Sequence, residues 1–359
     1  MIYRRYFIVL ALLINGTVCY AKPPLQVSRV SVIPKTIDFS KNEKTSINYY
    51  LSDDAFVNIT FKDENENVLY TKQLGKKTQG GQVFEWDGMD AENKAVTTDV
   101  VLFNINARTE DGRYAHFDPS AETAGRPLAN FELTLDEETG KINYVLSHAA
   151  RVRLRAGLKQ GVFLNTLYDW QPQEAGRHEL IWDGLDNSGE IDLLAHKGNN
   201  LNMNAYSLAD NSIIMKGIEI KYQKPDSIFH PNLPGQHMHY RHPRIDCHEP
   251  RFSLDFPVQH GRDADGVPVF KGHVPVRVMI DEKDAARLGA NPYEVMVYLD
   301  TQFLYEEEQA LTPSTYYADV SNLNPGHHLL TVNVLTYDDH VGTQTVKFKV
   351  LNDANEPSF

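Results

Sequence analysis

Cysteine is almost absent from this chain of 359 residues: only Cys19 and Cys247 occur. Long apolar runs are missing as well. The longest, Phe7 to Ile14, is too short to cross a bilayer. It follows a basic pair, Arg4-Arg5, and precedes small residues near Ala21, which is the layout of a cleaved export signal. Arg4-Arg5 belongs to an ordinary basic leader better than to a twin-arginine signal. Val18 stands where a small residue would precede a lipidated Cys19, so a lipid anchor is not expected. With residues 1–21 removed, the mature chain keeps Cys247 alone, has no transmembrane segment and cannot form an internal disulfide. Its units must therefore be held by ordinary cores.

Positive charge is also in short supply. Lysine and arginine total 35 against 48 aspartates and glutamates, a net charge of −13 that becomes −15 once Arg4 and Arg5 leave with the signal. Nucleic acid is excluded as a partner, because phosphate binding depends on clustered cations that release counterions. The familiar catalytic signatures are absent too: no Gly-x-Ser-x-Gly, no His-Glu-x-x-His, no phosphate loop and no dinucleotide fingerprint. The composition and motifs are those of a non-enzymatic protein.

What is present is a repeat. Ile47-Asn48-Tyr49-Tyr50-Leu51-Ser52 returns 95 positions later as Ile142-Asn143-Tyr144-Val145-Leu146-Ser147. Trp86-Asp87-Gly88-Met89-Asp90 returns after 96 as Trp182-Asp183-Gly184-Leu185-Asp186. Two copies of one unit fix part of the domain count. Within the first copy, Ile47, Tyr49 and Leu51 alternate with polar residues, as do Val57, Ile59 and Phe61, and Val101, Phe103 and Ile105. A period of two marks half-buried strands, and the polar turns between them predict small antiparallel β-sandwiches. A third β unit is predicted from Val274–Ile280, Tyr293–Leu299, Ala318–Leu323, Leu329–Thr336 and Thr343–Val350, with a helical turn or two at Glu282–Leu288. Between the second and third units, prolines at 225, 231, 234, 243, 250 and 257 predict an extended strap.

The Ile-x-Tyr-x-Leu-Ser strand followed by Trp-Asp-Gly-x-Asp resembles the immunoglobulin-like domain of the flagellar hook-capping family, over about residues 27–107 and 128–220. The C-terminal unit, through Val297-Tyr298-Leu299-Asp300 and the run from Pro325 to Val332, is similar to immunoglobulin-like modules of secreted bacterial proteins. The resemblance implies an all-β chain of three immunoglobulin-like antiparallel β-sandwiches in tandem after a signal peptide. The expected divisions are a signal at 1–21, domain 1 at 22–118, domain 2 at 119–224, a Pro/His-rich strap at 225–257 and domain 3 at 258–359. Flagellar assembly is not implied, because hook-capping proteins leave the cell without a cleaved signal.

Two kinds of site are weighed. In the repeat block, Trp86 and Trp182 close a sandwich end, Gly88 and Gly184 permit a tight turn, and Asp87, Asp90, Asp183 and Asp186 accept backbone N–H groups. Calcium is the rival for the oxygen-rich loop of Asp183, Asp186, Asn187 and Glu190, and for Asp263-Ala264-Asp265-Gly266, but the spacing is not that of an EF-hand. In the strap, His230, His237, His239, His242, Cys247 and His248 crowd together. On an extended chain His237 and His239 project to one side about 7 Å apart, a spacing suited to two ligands of one metal. His242, Cys247, His248, Asp246 or Glu249 would complete the set, and imidazole with thiolate selects zinc or copper. No Cys-x-x-Cys-His occurs, so a haem iron could only be that of a partner. The alternative is a surface strap whose rings pack on tyrosine and proline. The functional expectation is an exported structural or adaptor protein of the periplasm or cell surface, contacting other envelope or extracellular proteins. A metal-binding or redox-partner role for the strap and a carbohydrate-binding accessory role are the alternatives.

Overall fold

A computed structural model describes residues 22–159, 161–218, 249–288, 291–336 and 340–351. The described chain is almost entirely β, and its strands form sandwiches.

The first unit contains β1 (Val27–Ile33), β2 (Thr36–Asp38), β3 (Thr45–Leu51), β4 (Ala55–Lys62), β5 (Val68–Lys77), β6 (Gly80–Trp86), β7 (Val100–Arg108) and β8 (Tyr114–Phe117). One sheet has the order β1-β3-β6. Ile47, Tyr49 and Leu51 of β3 face Val57, Ile59 and Phe61 of β4 and Val101, Phe103 and Ile105 of β7 in a single core. The period-two pattern of the sequence thus marks the buried face of each strand. Trp86 lies against Phe61 with ring centroids 4.4 Å apart, closing one end of that core.

After the short helix α1 (Ser120–Thr123), the second unit follows with β9 (Thr134–Asp136), β10 (Lys141–Leu146), β11 (Ala150–Leu158), β12 (Phe163–Gln173), β13 (Gly176–Ile181) and β14 (Asn199–Ser207). Its sheets are β13-β10-β9 and β12-β11-β14. The next strand, β15 (Ser212–Lys216), leaves this unit. It returns to the first one, lying antiparallel to β7 and parallel to β2, so that the larger sheet of the first unit reads β2-β15-β7-β4-β5. Ile213 and Met215 are buried in the first core. The sequence reading places these residues in the second unit because they follow it in the chain; the apolar alternation of β15 matches an open position beside β7 instead.

The third unit comprises β16 (Phe252–Asp255), β17 (Val269–Phe270), β18 (His273–Ile280), β19 (Tyr293–Leu299), β20 (Gln302–Ala310), β21 (Ser314–Asp319), β22 (Gly326–Leu335) and β23 (Val341–Val350), with α2 (Glu282–Leu288) between β18 and β19. Sheets β16-β18-β21 and β17-β23-β22-β19-β20 enclose the core. Strand β16 falls inside the range that the proline spacing assigns to the strap. The four residues of β16 lie between Pro250 and Pro257, where proline rings do not interrupt the pairing with β18.

Candidate functional site

The repeated Trp-Asp-Gly-x-Asp blocks build two matching loops. The indole N–H of Trp86 donates to the Met89 carbonyl at 2.8 Å, and that of Trp182 to the Leu185 carbonyl at 3.1 Å. Asp87 Oδ1 accepts from the Met89 amide and Asp183 Oδ1 from the Leu185 amide. Gly88 and Gly184 sit at φ +83° and +84°, a left-handed turn that side chains resist. Asp90 Oδ1 takes the amides of Glu92 and Lys94, while Asp186 Oδ1 takes those of Glu190 and Ile191. The oxygens that resemble cation ligands in the sequence are thus turned onto their own loop. Asn187 and Glu190 point away, to the Thr343 carbonyl and Lys347 of the third unit. Asp263 likewise accepts the amides of Asp265 and Val267. Among the described residues no three His, Cys, Asp or Glu side chains gather around a metal-sized space. His230, His237, His239, His242, Asp246, Cys247 and His248 lie outside the described residues.

Side chains from all three units converge on one strand, β11. Its inward residues Val152, Leu154 and Ala156 belong to the second core, so strand alternation turns Arg151, Arg153 and Arg155 to the opposite face. All three arginines are buried, each 3% exposed or less. At one end Arg151 reaches the first unit. Its Nη2 donates to Asp99 Oδ1 at 2.7 Å, and its Nε and Nη2 both donate to Glu64. A further bond runs from Arg151 Nη1 to the Trp170 carbonyl. At the other end Arg155 forms a two-pronged pair with Glu249, through Nε to Oε1 at 2.7 Å and Nη2 to Oε2 at 2.8 Å. Glu249 also accepts the amide of Val341 in the third unit. Between them the Arg153 guanidinium lies 4.7 Å from the Trp170 ring, whose indole N–H donates to His340 Nε2 at 2.9 Å. Trp170 holds a left-handed φ of 50°, a conformation that a bulky side chain adopts only when its surroundings impose it.

Charge fixes this geometry. Burial works against the Arg151 cation, but Glu64 and Asp99 outweigh it and hold its pKa above the ordinary guanidinium value. Burial pushes the carboxyl of Glu249 upward, and Arg155 opposes that shift. An ion pair shielded in this way adds little net stability but strongly penalises the loss of one partner. Its consequence is orientation. The third unit adds direct contacts: Asn333 donates to the Phe163 carbonyl and accepts its amide, as a strand residue would, and Tyr298 enters the core of the second unit. Val100, Leu102 and Ile214 of the first unit pack on Ala149, Leu208 and Ala209.

In the repeat register Arg151, Arg153 and Arg155 replace Phe56, Asn58 and Thr60 of β4. That departure, three arginines alternating with apolar residues where the first copy has none, is the signal in the sequence that marks this junction. The partners Glu64 and Asp99 carry no such mark, since each sits in a loop that reads as solvated; Glu249, which the sequence offers as a metal ligand of the strap, is engaged by Arg155.

Fold and junction together define a protein class: immunoglobulin-like β-sandwiches joined through a buried polar seam. Residues 35–111 match the family model of the FlgD Ig-like domain, which covers β2 to β7 and does not include β15. No curated protein matches the chain. Among solved structures, the chain is similar to a tetra-tandem repeat from the extending region of a large adhesion protein, at 15% identity, covering 91% of this chain and 74% of that one, with a TM-score of 0.21. A bacterial ice-binding adhesin is matched at 11% identity over 92% of this chain and 99% of that one, TM-score 0.19. CopC from Methylosinus trichosporium OB3b is matched at 15% identity over 30% of this chain and all of that one, TM-score 0.18. At such scores none of the three bears on geometry or chemistry.

Proposed function

We propose that this chain is an exported, non-enzymatic connector: a structural or adaptor component of a periplasmic or cell-surface assembly that holds its three units in a set relative orientation. The observation that supports this reading is the burial of Arg151, Arg153 and Arg155 between the units. A chain whose units moved independently would leave such side chains in water, where they need no partner. Binding partners would meet the outer loops and open sheet edges, the usual sites of loop-borne and strand-addition recognition. The export signal read at 1–21 supports a location in the envelope or beyond. Affinity capture of the tagged protein from its native cell envelope tests the adaptor role, and recovery of no stoichiometric partner would overturn it.

The density of histidine in the strap supports a second reading, in which His237, His239, His242, Cys247 and His248 bind zinc or copper or contact a partner's haem iron. Metal analysis of the purified mature protein beside a His237→Ala/His239→Ala variant separates the two. Stoichiometric metal lost in the variant supports it, and a metal-free wild type of equal stability sinks it.

A further inference from the structure

We propose that the open end of the larger sheet of the first unit is a binding face for an acidic polysaccharide, one whose sugars carry carboxylates. Strands β4, β5, β7 and β8 contain no aspartate or glutamate, although the chain as a whole has 48 such residues against 35 lysines and arginines. On their outer face Phe56 is 51% and Tyr114 58% exposed. Arg108 stands opposite both, paired in register with Phe56 of β4 and with Tyr114 of β8. The strand spacing sets the two rings roughly 10 Å apart with a cation between them. Arg108 is exposed and, among the described residues, has no carboxylate partner.

The next row of the face is polar and held in place. Asn106 Oδ1 accepts from the Tyr114 hydroxyl at 2.5 Å and lies 2.7 Å from His116 Nδ1, while its Nδ2 donates to Asn58 Oδ1 at 3.1 Å. Tyr114 and His116 are also parallel to within 10°. The arrangement thus has two exposed rings able to stack on the C–H faces of sugars. It adds carboxamides fixed by their own network to meet hydroxyls, and a guanidinium fork to take a carboxylate. Side chains ordered before binding lose little freedom when a ligand arrives.

Two further observations bear on the face, the first on its being a contact surface and the second on the charge of its occupant. The same face is already an interface where Val100 and Leu102 meet the second unit, so the open patch continues an established contact surface. In the second copy the equivalent positions hold Arg151 and Arg153, and Arg151 takes carboxylates from its neighbour; in the first copy the cation has moved one strand over, to Arg108. The net negative charge of the chain repels a polyanion in general, whereas the carboxylates of the loop that follows β7, Glu110 and Asp111, are paired with Lys76 and Arg113. This inference does not depend on the connector reading.

The test uses the full mature chain in native gels containing polygalacturonate, with dextran as the neutral polymer. The wild type is expected to be retarded by polygalacturonate and not by dextran, with retardation fading as salt rises. Phe56→Ala/Tyr114→Ala should weaken the apparent affinity about tenfold or more, and Arg108→Gln should weaken it with loss of the salt dependence. Tyr317→Ala, 65% exposed in the third unit, should change nothing. Thermal midpoints equal to wild type show that the variants fold. The proposal is overturned by a wild type that ignores polygalacturonate, by equal retardation on dextran, or by variants that bind as the wild type does. It is also overturned if an envelope protein, and no polysaccharide, is captured in a manner that depends on Phe56 and Tyr114.

Discussion

Glu249 shows at the scale of one side chain how the junction works. Its carboxylate serves Arg155 of the second unit and the Val341 amide of the third, and burial leaves neither any water to turn to. Glu249→Ala is therefore expected to cost about 3–5 kcal/mol in chemical denaturation, because it removes a two-pronged carboxylate from a buried guanidinium. Replacing both partners together, Arg155→Met with Glu249→Leu, should cost less than the single change, since the two opposite charges of the pair are then removed together. A second carboxylate bears on pH. Burial, with Glu306 beside it, raises the pKa of Glu294 to about 7. A folded value above the unfolded one, about 4.3, means that the contribution to stability is complete at acid pH and is lost as pH rises through about 7. The thermal midpoint of the protein should fall between pH 5 and pH 8, and Glu294→Gln should flatten that dependence.

Among the elements, the turn at Gly140 and strand β15 are each held by contacts from outside their own hairpin. Gly140, at φ +67°, would place an added Cβ 1.9 Å from the Trp182 carbonyl oxygen, so Gly140→Ala should destabilise the second unit by about 2–4 kcal/mol in denaturant titration. Strand β15 contributes Ile213 and Met215 to a core that precedes it by a hundred residues of chain. A fragment of residues 22–118 is expected to lack fixed packing, and a peptide of residues 208–218 added in trans should restore its near-ultraviolet circular dichroism. If the fragment alone is cooperatively folded, β15 is an accessory to that core and not a part of it. The strands themselves are legible in the sequence: Ile47, Tyr49, Leu51 and Val101, Phe103, Ile105 announce their buried faces by period two. The position of β15 is not, because an alternating apolar strand fits any half-open sheet and its neighbour is set by three-dimensional reach.

For the whole molecule, Arg151 and Arg155 tie the second unit to its neighbours at opposite ends of one strand, so the orientation of all three units passes through β11. Arg151→Ala should broaden the distribution of angles between the first and second units while each stays folded, which small-angle scattering reads as a wider pair-distance distribution. An unchanged distribution would show that the apolar contacts of Leu102 with Leu208 and Ala209 suffice to set the angle.

The sequence by itself determined the all-β class, the duplicated unit and the loop chemistry of Trp86 to Asp90 and Trp182 to Asp186. Each of these depends on side-chain periodicity or on turn residues within a few positions of one another, and such local interactions are written in local order. Only the tertiary structure decided where β15 pairs, that Arg151, Arg153 and Arg155 face neighbouring units instead of water, and that Phe56, Arg108 and Tyr114 share one open face. Most of those contacts join residues tens to more than a hundred positions apart. Strand register and domain packing create them; the alternating arginines of β11 mark one side of the junction in the sequence, and their partners carry no local mark.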